Sequence, residues 1–285
     1  MNKILITGAN GMLGRTLCKS LREFEIIPTD LPNEDITQAA IFDRLIKKHR
    51  PDTVIHCAAM TAVDNCETQQ DLAFKLNAIG SANVAFACHR NNARLIAIST
   101  DYVFDGDKDT PYTEFDLPSP RSVYGKSKYA GEQAVRTHCP NHIIARLSWL
   151  YGAGGPSFVH TMLKLADGSR PELKVVNDQL GNPTSTLAVA DALRNLIDRP
   201  EIVGTFHLTC SGEATWFVLA CELFRQAGIN QKVIPCTTME YPRPAPRPRN
   251  SRLEKLALRL HGLPEMPDWR DALKHFLCSN QGTSG

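Results

Sequence analysis

Lys3-Ile4-Leu5-Ile6-Thr7-Gly8-Ala9-Asn10-Gly11-Met12-Leu13-Gly14 decides the architecture of this chain. A short apolar strand runs directly into a G-x-x-G-x-x-G turn. Residues 13–24 then read as a helix, with Leu13, Leu17 and Leu21 along one face. Strand–turn–helix is the context in which glycine spacing signals a dinucleotide. Gly8 permits the tight turn, Gly11 lets a pyrophosphate approach the backbone, and Gly14 lets the helix pack on the sheet. Free N–H groups at the helix start then face the phosphates. Gly8, Asn10, Gly11, Met12, Leu13 and Gly14 are the candidate contacts of this loop.

Working outward, strands and helices alternate. Strands are expected at 25–29, 53–56, 93–98 and 142–147. Helices are expected from a Thr37 cap to about 49, over 72–90 and over 123–137. Such alternation predicts an α/β fold, a parallel, doubly wound Rossmann-type sheet covered on both faces. Beyond Gly152-Ala153-Gly154-Gly155-Pro156 the pattern loosens. Helices are expected at 158–166, 187–197 and 215–226, the last capped by Thr215, with a returning strand at 205–208. Residues 241–249 alternate Pro and Arg and must be extended. Residues 1–148 are expected to hold the dinucleotide. Residues 149–285 are expected to form a smaller C-terminal substrate lobe, some segments of which return to the first domain.

Asp30 follows the second strand, where a carboxylate grips an adenosine ribose and favours NAD. Arg15, beside the loop, suits a 2′-phosphate and favours NADP. The two leave NADPH and NADH both open. The formal net charge of +2 is too weak to imply nucleic-acid binding. No apolar run is long enough to span a bilayer, and the N-terminus lacks the apolar core and cleavage site of a signal peptide. The expected compartment is the cytoplasm. The nine cysteines are an odd number without a C-x-x-C pair, so reduced thiols and no metal site are expected.

Tyr124-Gly125-Lys126-Ser127-Lys128 reads Y-x-x-x-K on the helix of 123–137. Residues four apart share a helix face, so phenol and ammonium stand side by side. Bringing a phenol from ~10 towards ~7 takes roughly 4 kcal/mol of anion stabilisation, which Lys128 and a positively charged nicotinamide would supply. Tyr124 would then be an acid for a carbonyl receiving hydride. Ser99-Thr100 ends the preceding strand, at the carboxyl edge where such sheets bind ligands. Thr100 is favoured over Ser99 as a second donor, because successive strand side chains point to opposite faces.

With these residues placed, the chain resembles the dTDP-4-dehydrorhamnose reductases, a branch of the extended short-chain dehydrogenases. The likeness runs in order through His56-Cys57-Ala58-Ala59, Asp64 with Glu67, and Ser99-Thr100-Asp101-Tyr102-Val103-Phe104-Asp105-Gly106. It continues through Tyr124–Glu132, Arg146-Leu147-Ser148-Trp149-Leu150-Tyr151-Gly152, Gln179-Leu180-Gly181-Asn182-Pro183-Thr184, Arg247-Pro248 and Asn250-Ser251. It implies reduction of dTDP-4-keto-L-rhamnose at C4, with Thr100, Tyr124 and Lys128 as catalytic triad. It implies cofactor contacts at Ala58, Ala59, Asn77 and Lys128, Asn77 supporting Lys128 through water. The implied substrate contacts are Thr61, Val63, Tyr102, Trp149, Gln179 and Arg247. Three of these have a structural alternative: Trp149 as core packing, Asn77 as partner of a neighbouring backbone group, and the Arg247 tract as a stiff surface segment. Some members bind Mg²⁺ at a dimer contact through a carboxylate early in the first helix. This chain has Arg15 and Thr16 there, which leaves Mg²⁺ and a homodimer open.

Three other readings share the scaffold. A sugar 4,6-dehydratase carries Asp-Glu after the Thr, whereas Asp101-Tyr102 stands here and removes the second acid. A 4-epimerase or another nucleotide-sugar 4-reductase uses the same Tyr and Lys. The beta subunit of methionine adenosyltransferase keeps the fold as a non-catalytic, NADP-binding regulatory subunit.

Overall fold

Within β1 (Lys3–Thr7), Ile4 and Ile6 enter one hydrophobic core and Leu5 the other, all three wholly buried. A strand buried on both faces belongs inside a parallel sheet. The structure, a computed structural model that describes residues 2–281, places it there.

The chain continues through α1 (Met12–Ser20), β2 (Glu25–Thr29), α2 (Ala39–His49), β3 (Thr53–His56), α3 (Val63–Thr68) and α4 (Gln70–Phe74). Then come α5 (Ser81–Arg90), β4 (Arg94–Thr100), α6 (Val123–His138), β5 (His142–Leu147), β6 (Leu150–Tyr151), α7 (Phe158–Leu165) and β7 (Leu173–Val176). The remainder comprises β8 (Leu180–Gly181), β9 (Thr184–Ser185), α8 (Thr186–Ile197), β10 (Gly204–His207), β11 (Ala214–Thr215), α9 (Trp216–Ala227), β12 (Val233–Cys236), α10 (Leu256–Leu260) and α11 (Trp269–Gln281). Six strands form one parallel sheet in the order β10-β5-β4-β3-β1-β2. One face packs on α1 and α8, the other on α2, α5 and α6. This is the doubly wound Rossmann-type sheet. The strand of 205–208 appears as β10, parallel to β5. From β1 the chain goes to β2 on one side and to β3 on the other, so the switch point where ligands bind lies between β1 and β3.

Local expectations fail in three places. The first helix stops at Ser20 rather than 24, its chain turned by Leu21. Thr37 does not cap α2. Its N–H is taken by Asp35 Oδ1 at 2.8 Å in a turn, and Gln38 is the N-cap. The helix of 72–90 is not uniform, because α4 passes into a π-helical turn, Lys75–Gly80, before α5. One inserted residue per turn barely alters an apolar period, so the pattern does not reveal it. No element was read beyond 249, where the structure has α10 and α11.

Helix α6 is pinned from below. Ser99 Oγ donates to Glu132 Oε1 at 2.6 Å, and Arg146 of β5 binds both carboxylate oxygens at 2.9 and 2.8 Å. Glu132 is 3% exposed and Arg146 1%. Burial alone would raise the Glu132 carboxyl, but Arg146 and Ser99 hold it below its ordinary value. Removing one partner of such a pair leaves an uncompensated buried charge. Glu132→Ala is therefore expected to destabilise the protein by about 3–5 kcal/mol, lowering Tm by on the order of 10 °C in calorimetry. A Tm within 2 °C of the parent would contradict this.

Candidate active site

Parallel strands end together, and a cavity of about 690 Å³ opens at their carboxyl edge. At its floor, Gly8 adopts φ +66° and lies so close to the chain after β3 that a Cβ would stand 2.7 Å from Ala58 N. Only glycine permits this contact across the switch point. Gly11 is the N-cap of α1 and offers no side-chain acceptor, so it leaves the first N–H groups of the helix without a side-chain cap. Gly11, Met12, Leu13 and Gly14 line the cavity beside Gly8. Such a cradle fits a diphosphate. Asn10 is not on the wall; its N–H donates to Asp30 Oδ2 at 2.8 Å. Asp30 is on the wall, and its other oxygen accepts from Leu31 N. Arg15 lies instead beside Gly154, off the lining.

Ala58, Ala59, Thr61 and Val63 form the side wall. Asn77, on the π-helical turn, is wholly buried. Its Oδ1 accepts from Met60 N at 2.8 Å, and its Nδ2 donates to Met60 O and Ser127 Oγ. The amide thus serves a neighbouring backbone group and α6.

Thr100, Tyr102 and Tyr124 line the same cavity. Ser122 caps α6 by accepting from Gly125 N, which sets Tyr124 in the first turn. The rings of Tyr102 and Tyr124 meet edge to face at 5.5 Å. Burial raises the Tyr124 phenol above its ordinary value, and hydrogen bonding with Thr100 partly opposes this. Burial therefore outweighs any fall from the protein's own residues, and the phenol is protonated at neutral pH. Lys128 is 7% exposed and stands behind the wall, its Nζ donating to Ile98 O at 2.7 Å. Burial lowers it to about 8, against the pull of Glu132 and Cys57.

Of the expected substrate contacts, Tyr102 and Trp149 line the cavity; Gln179 and Arg247 do not. Gln179 binds Trp216 Nε1 and Thr238 Oγ1. Arg247 donates to Asp64 Oδ1 at 2.8 Å and lies over the Tyr102 ring, with its Nη1 buried and without a partner. Asp64 also pairs with Arg243, and Glu67 accepts from Val123 N, so α3 holds both the Pro/Arg tract and the start of α6. Sequence reasoning missed Trp216, Phe158, Leu31, Glu34 and Ile36 on the wall. Thr215 marked a helix start, but nothing in the pattern says that the next residue faces this cleft. Among the described residues no cluster of His, Cys, Asp or Glu could hold a metal. None of their helices is long and apolar enough to cross a membrane.

A family model described as the RmlD substrate binding domain matches residues 1–281. The chain belongs to the RmlD substrate binding domain family. Relatives in this family carry the reductase name. A dTDP-4-dehydrorhamnose reductase from Streptomyces griseus is 40% identical over 289 residues, covering 99% of this chain and 95% of its own. The crystal structure of a dTDP-4-dehydrorhamnose reductase from Clostridium acetobutylicum is 47% identical with a TM-score of 0.95, covering 98% of this chain and 99% of that one. That from Bacillus anthracis, in complex with NADP, is 41% identical with a TM-score of 0.95, covering 98% and 100%.

Asp101 adjoins Thr100. Thr100 Oγ1 donates to its Oδ1 at 2.9 Å, and burial pushes its carboxyl up to about 6 despite bonds from Thr100 and nearby serines. A carboxyl raised on folding stabilises below its unfolded value and loses that contribution as pH rises through about 6. Asp101→Asn cannot ionise. Its stability relative to the parent should rise by about 2 kcal/mol between pH 4 and pH 7, read as a Tm difference that grows with pH. A constant difference would contradict the raised carboxyl.

Proposed function

We propose that this chain reduces the C4 ketone of dTDP-4-dehydro-L-rhamnose to dTDP-L-rhamnose, with hydride from NAD(P)H and a proton from Tyr124. One observation carries the reading. Thr100 and Tyr124 line the same cavity as a glycine-lined helix start. Kinship with reductases of that name supports the substrate.

Gly8, Gly11 and Gly14 would hold the dinucleotide's diphosphate, and Ala58 and Ala59 its adjoining wall. When bound, the dinucleotide supplies the hydride. NADPH is the expected donor, since the Bacillus anthracis relative holds NADP. NADH is the alternative donor, since Asp30 lines the cavity and a carboxylate after the second strand suits a free ribose 2′-hydroxyl. Thr100 donates a hydrogen bond to the ketone oxygen, and Tyr124 Oη passes its proton there as C4 becomes tetrahedral. Lys128, freed from Ile98 O, holds the nicotinamide ribose. Thr61, Val63, Tyr102 and Trp149 face the sugar, and Arg247, lying over the Tyr102 ring, supports that contact from behind the wall. The reaction belongs in the cytoplasm, where sugar nucleotide and reduced cofactor are available.

The deciding experiment follows oxidation of NADPH and of NADH spectrophotometrically with dTDP-4-dehydro-L-rhamnose, and identifies the product sugar. Net oxidation with dTDP-L-rhamnose formed is expected. Cofactor binding without turnover would mark a regulatory subunit, and interconversion of sugars without net oxidation an epimerase. Tyr124→Phe should keep cofactor affinity but lower kcat by on the order of 10² or more; near-normal turnover would remove Tyr124 as the acid. Lys128→Ala should harm both KM for cofactor and kcat, and unchanged values would contradict its two roles.

A further inference from the structure

Trp149 and Trp216 lie face to face on the cavity wall, ring centroids 3.4 Å apart and planes within 5°. They come from distant elements, Trp149 from the turn after β5 and Trp216 from the first position of α9. Trp149 holds φ +47°, a left-handed backbone that L side chains disfavour. On its other side sits Gly181, where a Cβ would stand 2.3 Å from Trp149 Cε2. Its Nε1 donates to Ser251 Oγ at 3.1 Å. Both faces and the nitrogen of this indole are thus engaged, and only its remaining edge is left for the cavity.

Trp216 is held in turn. Its Nε1 donates to Gln179 Oε1 at 3.0 Å, Gln179 Nε2 donates to Thr238 Oγ1 at 2.9 Å, and Thr238 donates to Asp178. Phe158 closes the outer side of Trp216, centroids 4.6 Å apart. Stacked rings at this separation leave no room for a ligand between them.

We infer that Trp216 and Gly181 clamp Trp149 from its two faces, and that Gln179 is a positioning residue acting through Trp216 rather than on substrate. The clamp fixes a rigid aromatic edge on the sugar side of the cleft before substrate arrives. The pyranose meets that edge and is not stacked upon. This gives the Gln179–Gly181 segment a role although Gln179 lies off the cavity wall. It rests on the proposal that Trp149 contacts the sugar.

The stack has its own signature. Parallel indoles in contact produce an exciton couplet in circular dichroism, and the chain's third tryptophan, Trp269, is buried at the start of α11. Trp216→Leu should abolish the couplet. It should raise KM for the sugar nucleotide on the order of tenfold, with kcat changed far less and the dissociation constant for the cofactor unaltered. Gly181→Ala, pushing from the opposite face, should weaken the couplet and raise the same KM. Gln179→Leu should do so by a smaller factor, and Trp216→Phe, which retains a stacking ring, should restore KM towards the parent. Loss of the couplet with KM unchanged in Trp216→Leu would overturn the clamp. An unchanged KM in Trp149→Phe would instead overturn the sugar contact itself, whatever the couplet shows. Should Trp216→Leu fail to fold, Gln179→Leu and Gly181→Ala carry the same comparison of KM with the couplet.

Discussion

The seat of α6 on β4 is the constraint on which the candidate chemistry depends. Three successive residues of one strand meet one face of one helix. Ile98 O accepts from Lys128, Ser99 donates to Glu132, and Thr100 lines the same cavity as Tyr124. A slip of α6 by one residue would break both bonds together. The bidentate bond from Arg146 makes such a slip costly, since it would strand a charge in the core. The cofactor half of the cleft is fixed separately, by the contact of Gly8 with Ala58 across the switch point.

Burial dominates the electrostatics of this cleft. It raises the phenol of Tyr124 and the carboxyl of Asp101, and it lowers the ammonium of Lys128. Each shift favours the neutral form, as a low-dielectric wall requires. A protonated phenol holds the proton a ketone reduction needs, and giving it up requires the anion stabilisation that Lys128 and a bound nicotinamide would supply. Buried charge is bonded to a counter-charge in the Glu132–Arg146 pair, and Asp64 pairs with both Arg243 and Arg247.

Much of this was legible in the residues. The continuous apolar run within Lys3–Thr7 and the glycine turn after it gave the parallel sheet, because local chemistry and global position agree there. The cleft collects Gly8, Asp30, Ala58, Thr61, Thr100 and Tyr124 as the motifs suggested, since every one follows or faces a strand end. The π-helical turn at Lys75–Gly80 was not legible, because it leaves the apolar spacing almost intact. Nor was the pairing of Trp149 with Trp216, which joins positions far apart in the chain. Gln179 and Arg247 were expected at the substrate and lie behind the wall. Motif reading marks a residue as special without telling contact from support.

The central claim is that the glycine-lined end and the Thr100–Tyr124 end hold two reactants in line for hydride transfer. The most direct measurement uses NADPH carrying deuterium at C4 of its dihydronicotinamide, with dTDP-4-dehydro-L-rhamnose and the intact protein, and locates the label by NMR. One deuterium at C4 of the rhamnosyl product is the predicted result. Deuterium elsewhere in the sugar, or a C4 hydrogen derived from solvent, would contradict the account.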